Sequence, residues 1–377
     1  MSNFSDFHNP FDGSLARPIK APDKTLYGSN VITRKAYIKS IDKMTYDTYS
    51  VVVKYQGDGE DIKPKAGQYA TLKPDHLVKP RAYSFARAPQ SEEPGEHTFF
   101  IRLMKGGLFS SWLFEGDRTN EMLTLTGPVG KFGLDDSDKL MLCVAGGSGM
   151  SAIYALLEHA AHSKTARNAL FLYGARSQSD LFLLDEIAAF AKNWHPDYKF
   201  EFVPVLSQEP KDSGWQGARG NVTDYLRTEY LDKSTVDLDN SVAYFCGPPP
   251  MIDLGIKELL AKGMSEENIR FDKFEDARSP APVIDNTRCV LCDECLMVRP
   301  TEHCIVEASM IRSPSFEKKT EYKPIIPGQT SGLYYNALHI VDEECIRCWA
   351  CVDACPTGAI SPEYDTTVRA IRDVSSI

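Results

Sequence analysis

No feature constrains this chain as much as the run CIRCWACVDAC, in which Cys345, Cys348, Cys351 and Cys355 are spaced C-x2-C-x2-C-x3-C, with Pro356 directly after. A second crowded set, CVLCDEC, repeats the two-residue intervals with Cys289, Cys292 and Cys295, and Cys304 follows after a longer gap. Eight of the ten cysteines lie beyond residue 288. Thiols clustered in this way read as metal ligands before disulfides in a reducing compartment. The compartment itself is an expectation from the rest of the chain. The opening MSNFSDFHNPFDGS lacks a basic start followed by an apolar core, so no signal peptide is expected. No apolar run approaches the roughly 20 residues that span a bilayer. We therefore expect a cytoplasmic protein without membrane insertion. A net charge of −10 argues against sequence-independent nucleic-acid binding, which needs a basic surface. At 377 residues, two to four domains are expected.

Three thiolates two residues apart can wrap a cubane on tight turns whose amides face its sulfides. Two triplets and two single cysteines suit two cubanes, whereas structural zinc, the alternative, is built from paired C-x2-C elements. The second run resembles bacterial two-cluster ferredoxins, in which the fourth cysteine ligates the other cluster. That resemblance implies one [4Fe–4S] cluster on Cys289, Cys292, Cys295 and Cys355, and another on Cys345, Cys348, Cys351 and Cys304. Ile305, not proline, follows Cys304, so the first run departs from the pattern. The segment 305–344 is longer than a minimal ferredoxin needs; PIIPGQ and GLYYNALHIV within it are candidates to pair as an extra hairpin.

Ahead of a polar, proline-containing stretch (EDARSPAPVIDN), the chain alternates strand and helix character. KLMLCVAGG, NALFLYGAR, KFEFVPVLS and SVAYFCGPPP are apolar runs separated by helical patterns such as MSAIYALLEHAA. This is the pattern of a parallel doubly wound sheet. AGGSGM, at a strand-to-helix turn, would let a pyrophosphate approach backbone amides, and CGPPPM would wall a crevice at the strand ends. A tight structural turn and a buried small cysteine are the bland readings of these two motifs. Residues 31–134 instead show short alternating segments split by turns, which argues for a small antiparallel barrel. In RAYSFA, Arg81 can bind a phosphate, Tyr83 can lie on a flat ring and Ser84 can reach a ring nitrogen. GGLFSSWL offers a glycine turn into a helix, with Ser110 able to donate to a phosphate.

Five motifs in this order, R-x-Y-S at 81–84, G-G-x-x-S at 106–110, GGSGM at 146–150, YGAR at 173–176 and CGPPPM at 246–251, resemble the ferredoxin–NAD(P)H reductase superfamily. The resemblance covers roughly residues 31–277 and implies three folds in one chain. These are an antiparallel β-barrel FAD domain (31–134), an α/β Rossmann-like NAD(P) domain (135–277) and, after a linker (278–286), a small α+β 2[4Fe–4S] ferredoxin domain (287–377). Residues 1–30 would form an N-terminal arm. By the same resemblance Arg81, Tyr83 and Ser84 hold the FAD phosphate and isoalloxazine. Gly106, Gly107 and Ser110 serve its pyrophosphate, and Gly67 belongs to a neighbouring strand. Gly146, Gly147, Gly149, Cys246 and Gly247 line the NAD(P)H site. Ser84 and Cys246 are the candidate catalytic pair. Phe274, or Phe271, in IRFDKFED would cover the flavin.

The acidic residues Asp180, Asp185 and Glu186 follow Arg176, and no second cation stands nearby for a 2′-phosphate. NADH is thus expected as donor, with NADPH as the alternative and Arg176 as a ribose ligand. The implied function is a reductase passing electrons from NADH through FAD and two [4Fe–4S] clusters to a redox partner protein. The partner is an oxygenase component or a ferredoxin; the alternative function is a reversible ferredoxin–NAD(P) oxidoreductase or the diaphorase subunit of a larger redox complex. Oxygenase reductases usually carry a [2Fe–2S] domain, so the two-cubane tail is a departure. From residue 285 onward fourteen acidic and nine basic side chains leave a formal −5, which would steer the tail toward a basic partner surface.

Overall fold

The computed structural model describes residues 31–274 apart from 78 and 105, and then 281–285, 288–300, 304–311, 334–342 and 344–361. The expected N-terminal arm, residues 278–280 and 286 of the linker and the PIIPGQ stretch lie outside the described residues. Asn30–Asp276 form one compact unit, and the described residues after Ala277 belong to a second.

The first unit holds two six-stranded sheets. One is built from β1 (Ile32–Lys43), β2 (Thr48–Tyr55), β3 (Tyr69–Pro74), β4 (Arg81–Ser84), β5 (Glu96–Arg102) and β6 (Met122–Val129), with a short helix α1 (Leu108–Phe114) between the last two. Their order is β4-β3-β6-β1-β2-β5, and every pairing is antiparallel. An isolated antiparallel bridge from Phe85 to Phe99, with the Ala86 amide donating to the Thr98 carbonyl at 2.9 Å, draws the two edge strands together into a near-closed barrel. Side chains alternate along each strand. Val51 and Val53 of β2, Phe99 and Ile101 of β5, and Leu123 and Leu125 of β6 are all at most 1% exposed and fill the interior. Each such burial contributes about 1.5–3 kcal/mol.

The second sheet is parallel: β7 (Leu140–Gly146), β8 (Ala169–Ala175), β9 (Phe200–Leu206), β10 (Ala218–Arg219), β11 (Ser241–Gly247) and β12 (Ile269–Lys273), ordered β10-β9-β8-β7-β11-β12. Strands buried on both faces read as continuous apolar runs. The helices α2 (Met150–His162), α3 (Leu184–Asn193), α4 (Val222–Tyr225) and α5 (Pro249–Ala261) connect them. From β7 the chain winds outward to β8 and β9, then returns to the other side of β7 with β11. That reversal opens a crevice at the carboxyl ends of β7 and β11, where doubly wound folds bind ligands. Helix α2 is apolar nearly all round because it is enclosed: its residues share one core with Ala86, Phe100 and Phe132 of the barrel side. Its buried Glu158 accepts three hydrogen bonds from Arg87 and one from the Ala88 amide, fixing the barrel to the parallel sheet.

The second unit contains a loop and short helix twice, α6 (Glu294–Met297) and α7 (Ala350–Ala354). Two antiparallel ribbons accompany them: β13 (Val283–Ile284) with β16 (Ile360–Ser361), and β14 (Ile305–Ile311) with β15 (Tyr334–Ile340). Within the described residues the YYNALHI part of GLYYNALHIV pairs with the strand directly after Cys304, and the PIIPGQ half of the expected hairpin lies outside them. In this register Ile305 stands opposite Ile340, and both are buried beside Cys295, Cys304 and Cys351.

Candidate active site and cysteine sites

At the barrel edge, the Tyr83 ring lies 5.2 Å from the Phe109 ring of α1, inclined at 49°. Arg81 donates to the Pro80 carbonyl at 2.8 Å. Gly106, with φ +79°, turns the chain into α1 and has open space on the side where a Cβ would stand. Gly107 is tighter: a Cβ there would meet Ser110 Oγ at 2.8 Å. Ser110 itself is 3% exposed, and its hydroxyl accepts from the Met104 amide at 3.1 Å. The side chain expected at a phosphate therefore closes the turn, and the turn's backbone at Gly106 is what faces outward. Gly67 is demanded by packing, since a Cβ would meet the Phe132 carbonyl at 2.7 Å.

Across from it, the tips of β7 and β11 approach backbone to backbone. A Cβ on Gly149 would overlap the Cys246 carbonyl, and one on Gly247 (φ +145°) would meet the Gly146 carbonyl at 2.7 Å. Met251 and Pro248 stand against Gly146. Cys246 is fully buried at the end of β11, and its thiol donates to the Asp272 carboxylate at 3.9 Å. Ser84 Oγ, from the barrel, lies 3.5 Å from the same Asp272 oxygen. The parallel register sets this up, because Cys246 is the direct partner of Asp272 on β12. Burial, and then the Asp272 charge, push the Cys246 thiol well above its ordinary range, so it is held neutral. Asp272 escaped the sequence reading although it lies within IRFDKFED, whose aromatics alone drew attention. The two aromatics part company: the Phe274 amide donates to the Gly247 carbonyl at 3.1 Å and its ring packs on the shared core. Phe271 is 48% exposed beneath the Lys273 ammonium.

From this point a cleft of about 460 Å³ runs along the carboxyl ends of the parallel strands, past Gly146, Gly147, Arg176 and Pro248. One wall comes from the barrel. Asp47, in the β1–β2 turn, accepts from Arg102 Nε at 2.8 Å and from Arg176 Nη2 at 3.1 Å. Asp180 forms a second, short ion pair with Arg176, and the Tyr46 hydroxyl also bonds to Asp180, at 3.0 Å. Burial alone would raise both aspartates. Hydrogen bonds from Arg102 at Asp47 and from Arg176 at Asp180 outweigh it and hold both lowered, hence ionised. Neither Asp47 nor Arg102 was legible in sequence, because their partners lie far along the chain.

In the second unit, burial pushes the Cys295 thiol up to about 12, and the neighbours that add to this are Cys289, Cys292 and Cys355. Cys351 is raised well above its ordinary range by burial and then by Cys348, Cys345, Cys295 and Cys304. Cys289, Cys292 and Cys355 are thus the thiols that act on Cys295, and Cys345, Cys348, Cys304 and also Cys295 those that act on Cys351. The two loops share a backbone: Leu291 and Arg347 (φ +53° and +58°) and Asp293 and Trp349 (φ +64° and +61°) take the left-handed conformation at matching positions. Amide N–H groups turn toward sulfur, from Arg347 to Cys345 Sγ at 3.4 Å and from Ala359 to Cys355 Sγ at 3.2 Å. Soft thiols with inward amides fit an iron–sulfur group.

Comparison with known proteins agrees with this geometry. The family described as the oxidoreductase FAD-binding domain matches residues 35–133, the oxidoreductase NAD-binding domain 143–255, and the 4Fe-4S binding domain 338–361. The xylene/toluene monooxygenase electron transfer component of Pseudomonas putida is 43% identical over 208 residues, which are 55% of this chain and 57% of that protein. The propane 2-monooxygenase reductase component of Mycolicibacterium smegmatis is 32% identical over 254 residues, 67% of this chain and 70% of that one. Among solved structures, the ferredoxin reductase in carbazole 1,9a-dioxygenase is 30% identical with a TM-score of 0.54, over 65% of this chain and 70% of that one. The chain spans between about half and 70% of the length of these curated relatives. Fold, site and likeness together place the chain in the family of FAD- and NAD-binding oxidoreductases that includes the reductase components of multicomponent oxygenases, here with a 4Fe–4S binding domain.

Proposed function

We propose that the chain is an electron-transfer reductase that draws electrons from NADH by way of FAD and two [4Fe–4S] clusters and delivers them to the oxygenase component of a multicomponent monooxygenase or dioxygenase. The observation that carries it is the meeting of Ser84 and Cys246 on one carboxylate, Asp272, where the barrel tip faces the strand tips of the parallel sheet. A flavin exchanges a pair of electrons with a nicotinamide and single electrons with iron–sulfur groups, which is the conversion this order of domains requires.

The protein's own residues do the positioning. Arg81 and the Gly106–Gly107 turn would hold the flavin phosphates, with Tyr83 and Ser84 on the side of the ring system. Phe274, tied to Gly247, would cover the flavin ring and exclude water from it. Gly146, Gly147, Gly149 and Gly247 let the dinucleotide approach backbone, and the buried neutral thiol of Cys246 borders the nicotinamide without competing as a nucleophile. Arg176 meets the ribose. Its charge is already matched by Asp47 and Asp180, which disfavours an additional 2′-phosphate and supports NADH over NADPH.

The cysteine sets Cys289, Cys292, Cys295, Cys355 and Cys345, Cys348, Cys351, Cys304 each hold one cluster. The domains run 31–134, 135–277 and 287–377, with an arm before and a linker at 278–286. The acidic balance of the tail suits a basic face on the partner. Among the described residues no helix is long and apolar enough to cross a membrane, and a cytoplasmic location is part of the proposal. The test is anaerobic titration of the purified protein with NADH, followed by visible absorbance and low-temperature EPR, then repeated with NADPH. Flavin bleaching followed by [4Fe–4S] signals is the expected result. Zinc in place of iron, or flavin reduction without any cluster signal, would refute the electron path.

A further inference from the structure

The two cysteine loops share a backbone but differ in what it carries. At matching left-handed positions the first loop has Leu291 and Asp293, the second Arg347 and Trp349. That conformation suits glycine, and a bulky side chain in it is strained, so Trp349 is held there by its surroundings. Its indole nitrogen is buried and has no hydrogen-bond partner. An indole N–H can only donate, and buried donors left unmet are rare in folded proteins. Trp349 sits between Cys348 and Cys351, so the acceptors this segment would bring to it are thiolate or cluster sulfur.

Arg347 adds to the difference. Its side chain is 6% exposed and folds back on its own loop, donating to the Asp342 carbonyl at 2.6 Å and the Cys345 carbonyl at 2.5 Å, with its charge paired to the Asp342 carboxylate at 2.9 Å, so that its contribution is chiefly as a donor that fixes the loop. In the first loop the matching Leu291 is apolar and 46% exposed, and Asp293, where the second loop has Trp349, brings no N–H donor in its side chain. Hydrogen bonds to sulfur and positive charge favour the reduced, more negative state of a cluster; anions and solvent-facing apolar side chains do not replace them. Flanking charges work the other way, Arg288 beside the first run and Glu344 and Asp353 beside the second, so the comparison rests on the donors inside the loops.

On the reading that each run holds one cluster, we propose that Trp349 is a positioning residue for potential. Its indole N–H donates to sulfur of the cluster on Cys345, Cys348, Cys351 and Cys304. With Arg347 it keeps that cluster at a higher reduction potential than its twin, making it the resting place of an electron before the electron leaves the chain.

The experiment is an EPR-monitored redox titration of the full, cluster-loaded chain, wild type against W349F, with iron counted in both. Two cubanes require about eight irons. The expected result is full iron in both, with the higher of two midpoints lowered in W349F by about 59 mV, a tenfold shift in a one-electron equilibrium, and the lower one unmoved. Two unmoved midpoints at full iron overturn the proposal, as does movement of the lower midpoint alone. Should W349F lose iron, wild-type protein with its tryptophan indoles labelled with ¹⁵N decides: a ¹⁵N coupling in ENDOR of the reduced cluster supports the donation, and its absence refutes it. About four irons and one reduction step in the wild type would refute the two-cluster reading itself, and the comparison of twins with it.

Discussion

The Cys246 thiol donates to the Asp272 carboxylate across 3.9 Å, at adjacent positions of two parallel strands. The same carboxylate oxygen stands 3.5 Å from Ser84 Oγ, so an anion on β12 joins a barrel hydroxyl to the end of β11. Both neighbours point at this one oxygen. Asp272→Asn keeps the shape and removes the charge. Losing one preorganised polar partner at a reacting centre costs about 10²-fold in rate. We expect NADH-driven flavin reduction, followed by stopped-flow absorbance, to slow by about that factor while the flavin remains bound. An unchanged rate would make Asp272 a packing residue.

The ionic frame around Arg176 leads to a second expectation. Asp47 reaches it from the barrel and Asp180 from its own loop, so one guanidinium faces two carboxylates. Replacing both acids by asparagine frees a cation at the ribose end of the cleft. The ratio of kcat/KM for NADPH to that for NADH should then rise by about tenfold, equivalent to one charge-assisted hydrogen bond of roughly 1.4 kcal/mol. Steady-state reduction of an artificial acceptor with each nucleotide measures it. A ratio that does not move would place donor choice elsewhere.

How far the sequence revealed all this depended on whether the signal was local. The glycine turns at Gly106 and Gly146, the proline wall after Cys246 and both cysteine runs are contiguous patterns whose chemistry follows from spacing, and the structure sets them at strand tips and loops. The alternation of β2 and the unbroken apolar runs of β7 and β11 likewise announced one barrel and one buried sheet. What stayed hidden depends on tertiary contact. Asp47 meets Arg176 across 129 positions of sequence and Ser84 meets Asp272 across 188, and nothing near either residue marks it. Ser110 shows the opposite error. Its motif was legible, but the hydroxyl is drawn inward by the Met104 amide. β14 stayed hidden for a third reason: it begins directly after Cys304, and only its pairing with β15, farther along the chain, marks IVEASMI as a strand.

Inside the barrel a buried histidine gives the fold an acid limit. Tyr55 accepts from the Ile62 amide at 3.0 Å and shares a 2.5 Å hydrogen bond with His97 Nε2, while His97 Nδ1 has no partner. Burial pushes the His97 imidazole down to about 4. The unfolded chain, with an ordinary histidine near 6.5, binds a proton that the folded barrel refuses. Stability from the neutral ring is therefore complete above pH 6.5 and drains away as pH falls toward 4, by about 3 kcal/mol in all. In His97→Gln this pH dependence should vanish. The stability difference between wild type and variant, from urea unfolding at pH 7 and pH 4.5, is expected to shrink by about 2–3 kcal/mol. A difference independent of pH would show that the ring is protonated in the fold.

The proposed interleaving of the cysteine sets is the most discriminating claim about the second unit. Cys355 follows the second run directly in sequence, yet the thiol it perturbs is Cys295 of the first, while Cys304 acts on Cys351 and Cys345 of the second. If each run used its own trailing cysteine, Cys355→Ser would damage the cluster on Cys345, Cys348 and Cys351. With the sets crossed, it damages the cluster on Cys289, Cys292 and Cys295 and leaves the other whole. Iron in Cys355→Ser should fall from about eight to about four per chain. The surviving reduction step should be the one that Trp349→Phe shifts, and the double variant read by EPR makes that assignment. Survival of the step that Trp349→Phe leaves alone would mean that each run closes its own cluster.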